Sequence, residues 1–66
     1  MITYEPLWKT LKDKNISTYK LITEYQFSKG TLDNLKHNRN VNTKTLNDLC
    51  NILDCDIMDV IKYSKD

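Results

Sequence analysis

Lys29, Gly30, Thr31 and Asn34 fall within one short stretch, KGTLDN (Lys29 to Asn34), and each offers a different hydrogen-bonding chemistry. The Lys29 ammonium is a pure donor and can reach O6 and N7 of a guanine. The Asn34 carboxamide sets a donor beside an acceptor and can pair bidentately with N6 and N7 of an adenine. Thr31 offers a hydroxyl to a phosphate or a methyl group to a thymine. Gly30 lacks a side chain. It either lets a ligand approach the backbone closely or is a tolerated exposed glycine, at about 1 kcal/mol relative to Ala. Lys20, Lys36, Arg39 and Lys44 place cations around this stretch, and Ser17, Thr18, Ser28 and Asn42 add small polar groups. Asp33 is the exception. It could accept from cytosine N4, but helical spacing turns it towards Lys29 or Lys36.

The elements that must position these side chains are marked by a recurring local pattern. Ser17 is preceded by Ile16 and followed four residues later by Leu21, and Ser28 stands in the same relation to Phe27 and Leu32. Asn42 repeats it with Val41 and Leu46, and Asp56 with Cys55 and Val60. A Ser, Asn or Asp side chain at these positions accepts from an orphan N–H of a helix's first turn. The flanking apolar pair has hydrophobic-staple spacing. Each cap is worth roughly 0.5–2 kcal/mol, which matters in a domain too small to rely on core area alone. Four capped helices are therefore expected after a first helix that starts at Pro6, a residue favoured at the first helical position, and runs to about Lys14.

Leu7, Trp8 and Leu11 make the apolar face of the first helix, and Trp8 is assigned to the core. Leu21 and Ile22 serve the second helix, and Leu32 and Leu35 the third. Leu46, Leu49, Cys50 and Leu53 recur at the spacing of a buried helical stripe in the fourth. The fifth is expected from Ile57 to about Lys62. Asn15 and Asn38 suit left-handed helix ends. Met1 to Tyr4 alternates like an extended arm, and it could pair with the alternating Ile61 and Tyr63 as a short ribbon.

The pair of short helices at residues 17–37, joined by a tight turn, reads as a helix-turn-helix. This stretch resembles the Cro/repressor-type (XRE-like) helix-turn-helix family. The resemblance rests on Ile16, Ser17-Thr18 and Leu21, then Phe27, Ser28, Thr31-Leu32 and Leu35. It extends to the opening PLWKTL (Pro6 to Leu11) and the closing LDCDIMDVIKY (Leu53 to Tyr63), which are similar to small stand-alone members. Two departures are visible. Gln26 occupies the turn position that the family usually gives to Gly, where a left-handed non-glycine costs roughly 1–2 kcal/mol. Asn38 replaces a second frequent Gly.

The resemblance implies an all-α, five-helix, lambda-repressor-like domain over residues 1–66, with the third helix lying in a DNA major groove. By that likeness Lys29, Gly30, Thr31 and Asn34 take the base-reading positions. Ser17, Thr18, Lys20, Ser28, Lys36, Arg39, Asn42 and Lys44 take the phosphate-contacting ones, helped by the helix N-terminus that Ser17 and Thr18 present. It also implies a homodimer, because two recognition helices must meet successive major grooves about 34 Å apart. The expected dimer surface is the C-terminal helix with Met58, Ile61 and Tyr63.

Composition narrows the alternatives. The 66 residues carry a net charge of only +1, but the charge is unevenly spread. Residues 1–46 hold Lys9, Lys12, Lys14, Lys20, Lys29, Lys36, Arg39 and Lys44 against Glu5, Asp13, Glu24 and Asp33. The remainder holds Lys62 and Lys65 against Asp48, Asp54, Asp56, Asp59 and Asp66. Local cations, not the total, set affinity for phosphates, and the basic part contains the helix-turn-helix. No apolar run approaches a membrane span of roughly 20 residues and no signal peptide opens the chain, so a cytoplasmic protein is expected. Cys50 and Cys55 read as thiols packing as small apolar groups, with a redox switch as the alternative. No metal site, cofactor or small-molecule ligand is expected, since His37 stands alone as a polar loop residue. No nucleophile has a matched base, which argues against an enzyme.

Two function classes remain. The first is sequence-specific binding of double-stranded DNA by a small transcriptional regulator, expected to be a repressor and to lack an effector domain. The second is a protein-interaction module, an adaptor or antitoxin-like partner, on the same fold. A protein-binding face should expose aromatic and aliphatic anchors, whereas Lys29, Asn34 and Lys36 are polar.

Overall fold

The four capped units do what their spacing predicts. Oγ of Ser17 accepts from the Lys20 N–H at 3.0 Å, and Oγ of Ser28 from the Thr31 N–H at 3.0 Å. Oδ1 of Asn42 accepts from the Thr45 N–H at 2.9 Å. Asp56 accepts from the Ile57 N–H at 2.8 Å, while the Asp59 carboxylate accepts in return from the Asp56 N–H at 3.0 Å. Ile16, Phe27, Val41 and Cys55, the residues before each cap, are half-buried against the core. The computed structural model describes residues 1–66.

After α1 (Glu5–Asp13), which has no side-chain cap, α2 (Thr18–Tyr25), α3 (Lys29–Lys36) and α4 (Thr43–Leu53) run from the Ser17, Ser28 and Asn42 caps. Pro6 lies in the first turn of α1, which starts one residue before the proline. A two-stranded antiparallel ribbon closes the chain, β1 (Ile2–Thr3) against β2 (Lys62–Tyr63), with Ile2 opposite Tyr63 and Thr3 opposite Lys62.

The expected fifth helix is absent. The segment after Asp56 makes a single 3₁₀ turn, Ile57–Asp59, before the chain extends into β2. Asp56 does cap it, but the ribbon claims Lys62 and Tyr63, leaving too few residues for an α-helix. The domain is thus mostly helical, with four α-helices and a small ribbon, rather than an all-α bundle of five. No helix is long and apolar enough to cross a membrane.

The core is Tyr4, Leu7, Leu11, Leu21, Leu32, Leu35, Leu49, Leu53 and Val60, with no buried polar or charged residue among them. Every helix contributes, and the 3₁₀ turn packs on α1 and α4. Thr10 Oγ1 adds a bond to the Asp59 carbonyl at 2.7 Å. Two assignments shift. Trp8 is only half-buried at the edge of the core, and Tyr4, expected in an extended arm, is 5% exposed. Tyr4 immediately precedes α1, so its ring turns inward beside Leu7 instead of continuing the ribbon.

Four non-glycine residues adopt left-handed backbone at the ends of the helices: Asn15 (φ 58°), Gln26 (φ 61°), Asn38 (φ 55°) and Asp54 (φ 49°). The asparagines fit their expected role. Gln26 keeps the turn conformation without glycine, and Asp54 adds a fourth such end after α4 that spacing alone does not reveal.

Candidate nucleic-acid interface

The turn between α2 and α3 is closed by backbone bonding. With Gln26 left-handed, the Phe27 N–H returns to the Leu21 carbonyl at 3.0 Å. Phe27 then packs against the core while Ser28 starts α3. Leu32 and Leu35 bury one side of α3 and leave Lys29, Gly30, Asp33 and Lys36 exposed. Asn34 and Thr31 lie at the flank, half-buried.

The polar residues gather into neighbouring surface depressions. One groove of about 290 Å³ between α2 and α3 is lined by Thr18, Ile22, Lys29, Leu32, Asp33 and Lys36. Beside it, Ser28 and Thr31 at the start of α3 meet Lys44 and Thr45 at the start of α4, under the Tyr25–Phe27 turn. Ser17 and Lys20 share a third depression with Lys12 and Asn15. Asn42 is committed to capping α4, and its Oδ1 also accepts from Thr45 Oγ1 at 2.9 Å. Arg39 stands in the loop after α3.

Hydrogen bonds already engage several of these groups. Ser28 Oγ donates to Thr31 Oγ1 at 2.8 Å, so the Thr31 hydroxyl belongs to the cap of its own helix. A Cβ added at Gly30 would meet only Ser28 Oγ at 3.9 Å, which is ordinary contact. Internal packing therefore does not require the glycine.

Among the cations, Lys20 pairs with Glu24 at 3.8 Å and Lys44 with Asp48 at 3.0 Å, both at helical i, i+4 spacing. Lys29 and Lys36 have no carboxylate partner. Asp33 does not turn to either of them. It pairs with the Arg39 guanidinium, and its carboxylate lies 3.2 Å from His37 Nδ1. The cause is the left-handed Asn38, which folds the chain back until the Arg39 N–H donates to the Asn34 carbonyl at 2.8 Å. Exposed pairs of this kind are worth about 0–1 kcal/mol, so a phosphate can displace them at little cost.

Three residues join this surface that side-chain type alone did not single out. Lys12 reaches it because the left-handed Asn15 reverses the chain after α1. Thr45 does so from the first turn of α4, and Gln26 from the turn itself. The signal for Lys12 was present in the sequence, as a cation shortly before an Asn helix end.

A model of the Cro/C1-type HTH DNA-binding domain matches residues 6–66. Among solved structures, the crystal structure of transcriptional regulator VanUg (Form II) is similar at 32% sequence identity with a TM-score of 0.88. That match covers 98% of this chain and 87% of that one. No curated protein matches the chain. The capped helix pair, its left-handed turn and its polar outer face agree with the family matched along nearly the whole sequence: the chain belongs to the Cro/C1-type HTH DNA-binding domains.

Proposed function

We propose that this protein is a sequence-specific, double-stranded DNA-binding transcriptional regulator that acts in the cytoplasm as a homodimeric repressor. The observation that carries the reading is the groove in which Lys29 and Lys36, both without a carboxylate partner, flank Thr18 at the start of α2. Cations without internal partners beside a helix N-terminus suit a phosphate backbone. The name of VanUg, a transcriptional regulator, supports the regulatory role.

In this reading α3 enters the major groove. Lys29, Gly30, Thr31 and Asn34 face base edges, while Ser17, Thr18, Lys20, Ser28, Lys36, Asn42 and Lys44 fix the register on phosphates. Arg39 retains N–H groups beyond those held by Asp33 and Asn34 for the same purpose. Binding α3 in the groove would exclude other proteins from the site, which is how a domain of this size can repress. For the dimer, exposed Met58 and Tyr63 supply apolar surface beside half-buried Ile61. That surface belongs to the 3₁₀ turn and the ribbon, since no C-terminal helix forms.

The test is selection of bound duplexes from a randomised pool at ~0.15 M salt, where exposed charges are screened beyond about 8 Å. Enrichment of a short inverted repeat is expected. Binding that enriches nothing and vanishes as salt rises would refute sequence-specific recognition and favour a protein partner.

A further inference from the structure

Arg39 is held over α3 by an anchored loop. The Tyr4 hydroxyl donates to the Arg39 carbonyl at 2.7 Å, and the Tyr4 N–H donates to Asn38 Oδ1 at 3.0 Å. From that backbone the Arg39 Nε–H donates to Asn34 Oδ1 at 3.2 Å, while Nη2 pairs with the Asp33 carboxylate. A guanidinium has no acceptor. The amide atom facing it must therefore be the oxygen, and the Nδ2 hydrogens of Asn34 point elsewhere. Asp33 holds the guanidinium from the other side and compensates its charge.

We infer that Arg39 is a positioning residue for Asn34, occupying its Oδ1 so that the amide meets a base as a donor and prefers guanine to adenine. The inference rests on the DNA-reading function proposed above. Bidentate pairing with adenine needs the same oxygen to accept from N6. Here that oxygen already accepts from the Arg39 Nε–H at 3.2 Å. Guanine presents O6 and N7, both acceptors, to the amide hydrogens that Arg39 leaves free. The N–H groups of Arg39 that Asn34 and Asp33 leave free can still meet a phosphate, so the positioning role is separated from that contact by base preference.

The test compares the wild-type protein with Arg39→Ala and Arg39→Lys by duplex selection and by salt titration on the selected duplex. Wild type is expected to prefer guanine about tenfold at one position per half-site, a preference that Asn34→Ala abolishes. Arg39→Ala should move that position towards adenine, whatever it does to the salt slope through its phosphate contact. Arg39→Lys keeps the charge but lacks the planar fork that spans Asn34 and Asp33, so it should not restore guanine. The inference is overturned if Arg39→Ala weakens all duplexes alike, lowers the salt slope by about one and leaves base preference intact, with Arg39→Lys restoring affinity. A wild-type protein that selects no motif removes the proposed function and this inference together, whereas a motif unchanged by Arg39→Ala removes only the inference. The Arg39 side chain is exposed and its bond from Tyr4 uses the backbone, so both variants are expected to keep the wild-type helical circular dichroism.

Discussion

The Tyr4 hydroxyl donates to the Arg39 carbonyl at 2.7 Å, joining residues 35 apart in the chain. The contact ties the segment between β1 and α1 to the loop that follows α3. One buried aromatic residue thus couples the terminal ribbon to the end of α3. Tyr4→Phe keeps the ring in the core and removes only the hydroxyl. It should cost about 1 kcal/mol, lowering the melting temperature by about 4–8 °C in a domain of this size. A thermal melt identical to wild type would mean that water replaces the bond without loss.

Gln26 holds a left-handed backbone at φ 61° in the middle of the helix-turn-helix. That conformation costs a non-glycine roughly 1–2 kcal/mol, partly offset by glycine's larger entropy loss of about 0.5–1 kcal/mol. Gln26→Gly should therefore stabilise the protein by about 0.5–1 kcal/mol, read as a higher urea midpoint. Asn38→Gly should bring no such gain, because it also removes the acceptor for the Tyr4 N–H. Destabilisation by Gln26→Gly would show that the glutamine side chain makes a contribution larger than the strain.

How much of this was legible beforehand depended on how local the signal was. Ser17, Ser28, Asn42 and Asp56 could be assigned as caps because each bonds within its own first turn. Leu21, Leu32, Leu35, Leu49 and Leu53 followed from periodicity. The failures lie in contacts made outside a single helix. The ribbon expected between the alternating termini does form, but it takes Lys62, the expected end of a fifth helix, together with Tyr63, and leaves a 3₁₀ turn in that helix's place. Tyr4 is buried, and Asp33 turns to Arg39, because loops distant or reversed in sequence fold back on them. Spacing along one helix carries no information about the burial of Tyr4 or the turn of Asp33.

Cys50 and Cys55 are free thiols, and the Cys55 N–H donates to the Cys50 carbonyl at 3.1 Å. Burial, followed by the neighbouring Cys50 and then Asp59, pushes the Cys55 thiol up, with Lys14 acting weakly the other way. A raised value means that folding favours the protonated form. The resulting stability is present below the ordinary thiol value of about 8.5 and is lost as pH rises through the raised one. Alkylation of Cys55 by iodoacetamide should accordingly be slower than that of a free thiol at pH 8. Cys55→Ala should flatten the loss of stability above about pH 8.5. Equal alkylation rates would contradict the shielding.

Gly30 sits inside α3, where an added Cβ would make only an ordinary contact with Ser28 Oγ. Gly30→Ala should stabilise the free protein by about 1 kcal/mol through helix propensity. The same variant decides why the glycine is there. If α3 approaches a groove through Gly30, affinity for the selected duplex falls although stability rises. If affinity is retained, the glycine is an exposed position without a role in binding.

Lys44 and Asn34 separate the two kinds of contact that the proposed interface requires. Lys44 Nζ lies 3.0 Å from the Asp48 carboxylate, so a phosphate would have to take the place of that partner. Lys44→Ala should weaken binding to all duplexes alike and lower the salt slope by about one. Asp48→Asn removes the competitor and should strengthen binding by up to about fivefold, the equivalent of an exposed pair at its upper value. Asn34→Ala should instead cost about 1–3 kcal/mol on the selected duplex and relax specificity at one base pair. Binding titrations on matched and single-mismatch duplexes at two salt concentrations distinguish these outcomes. If Lys44→Ala and Asn34→Ala lose affinity equally on matched and mismatched sites, α3 is not reading bases and its assignment as the recognition helix fails.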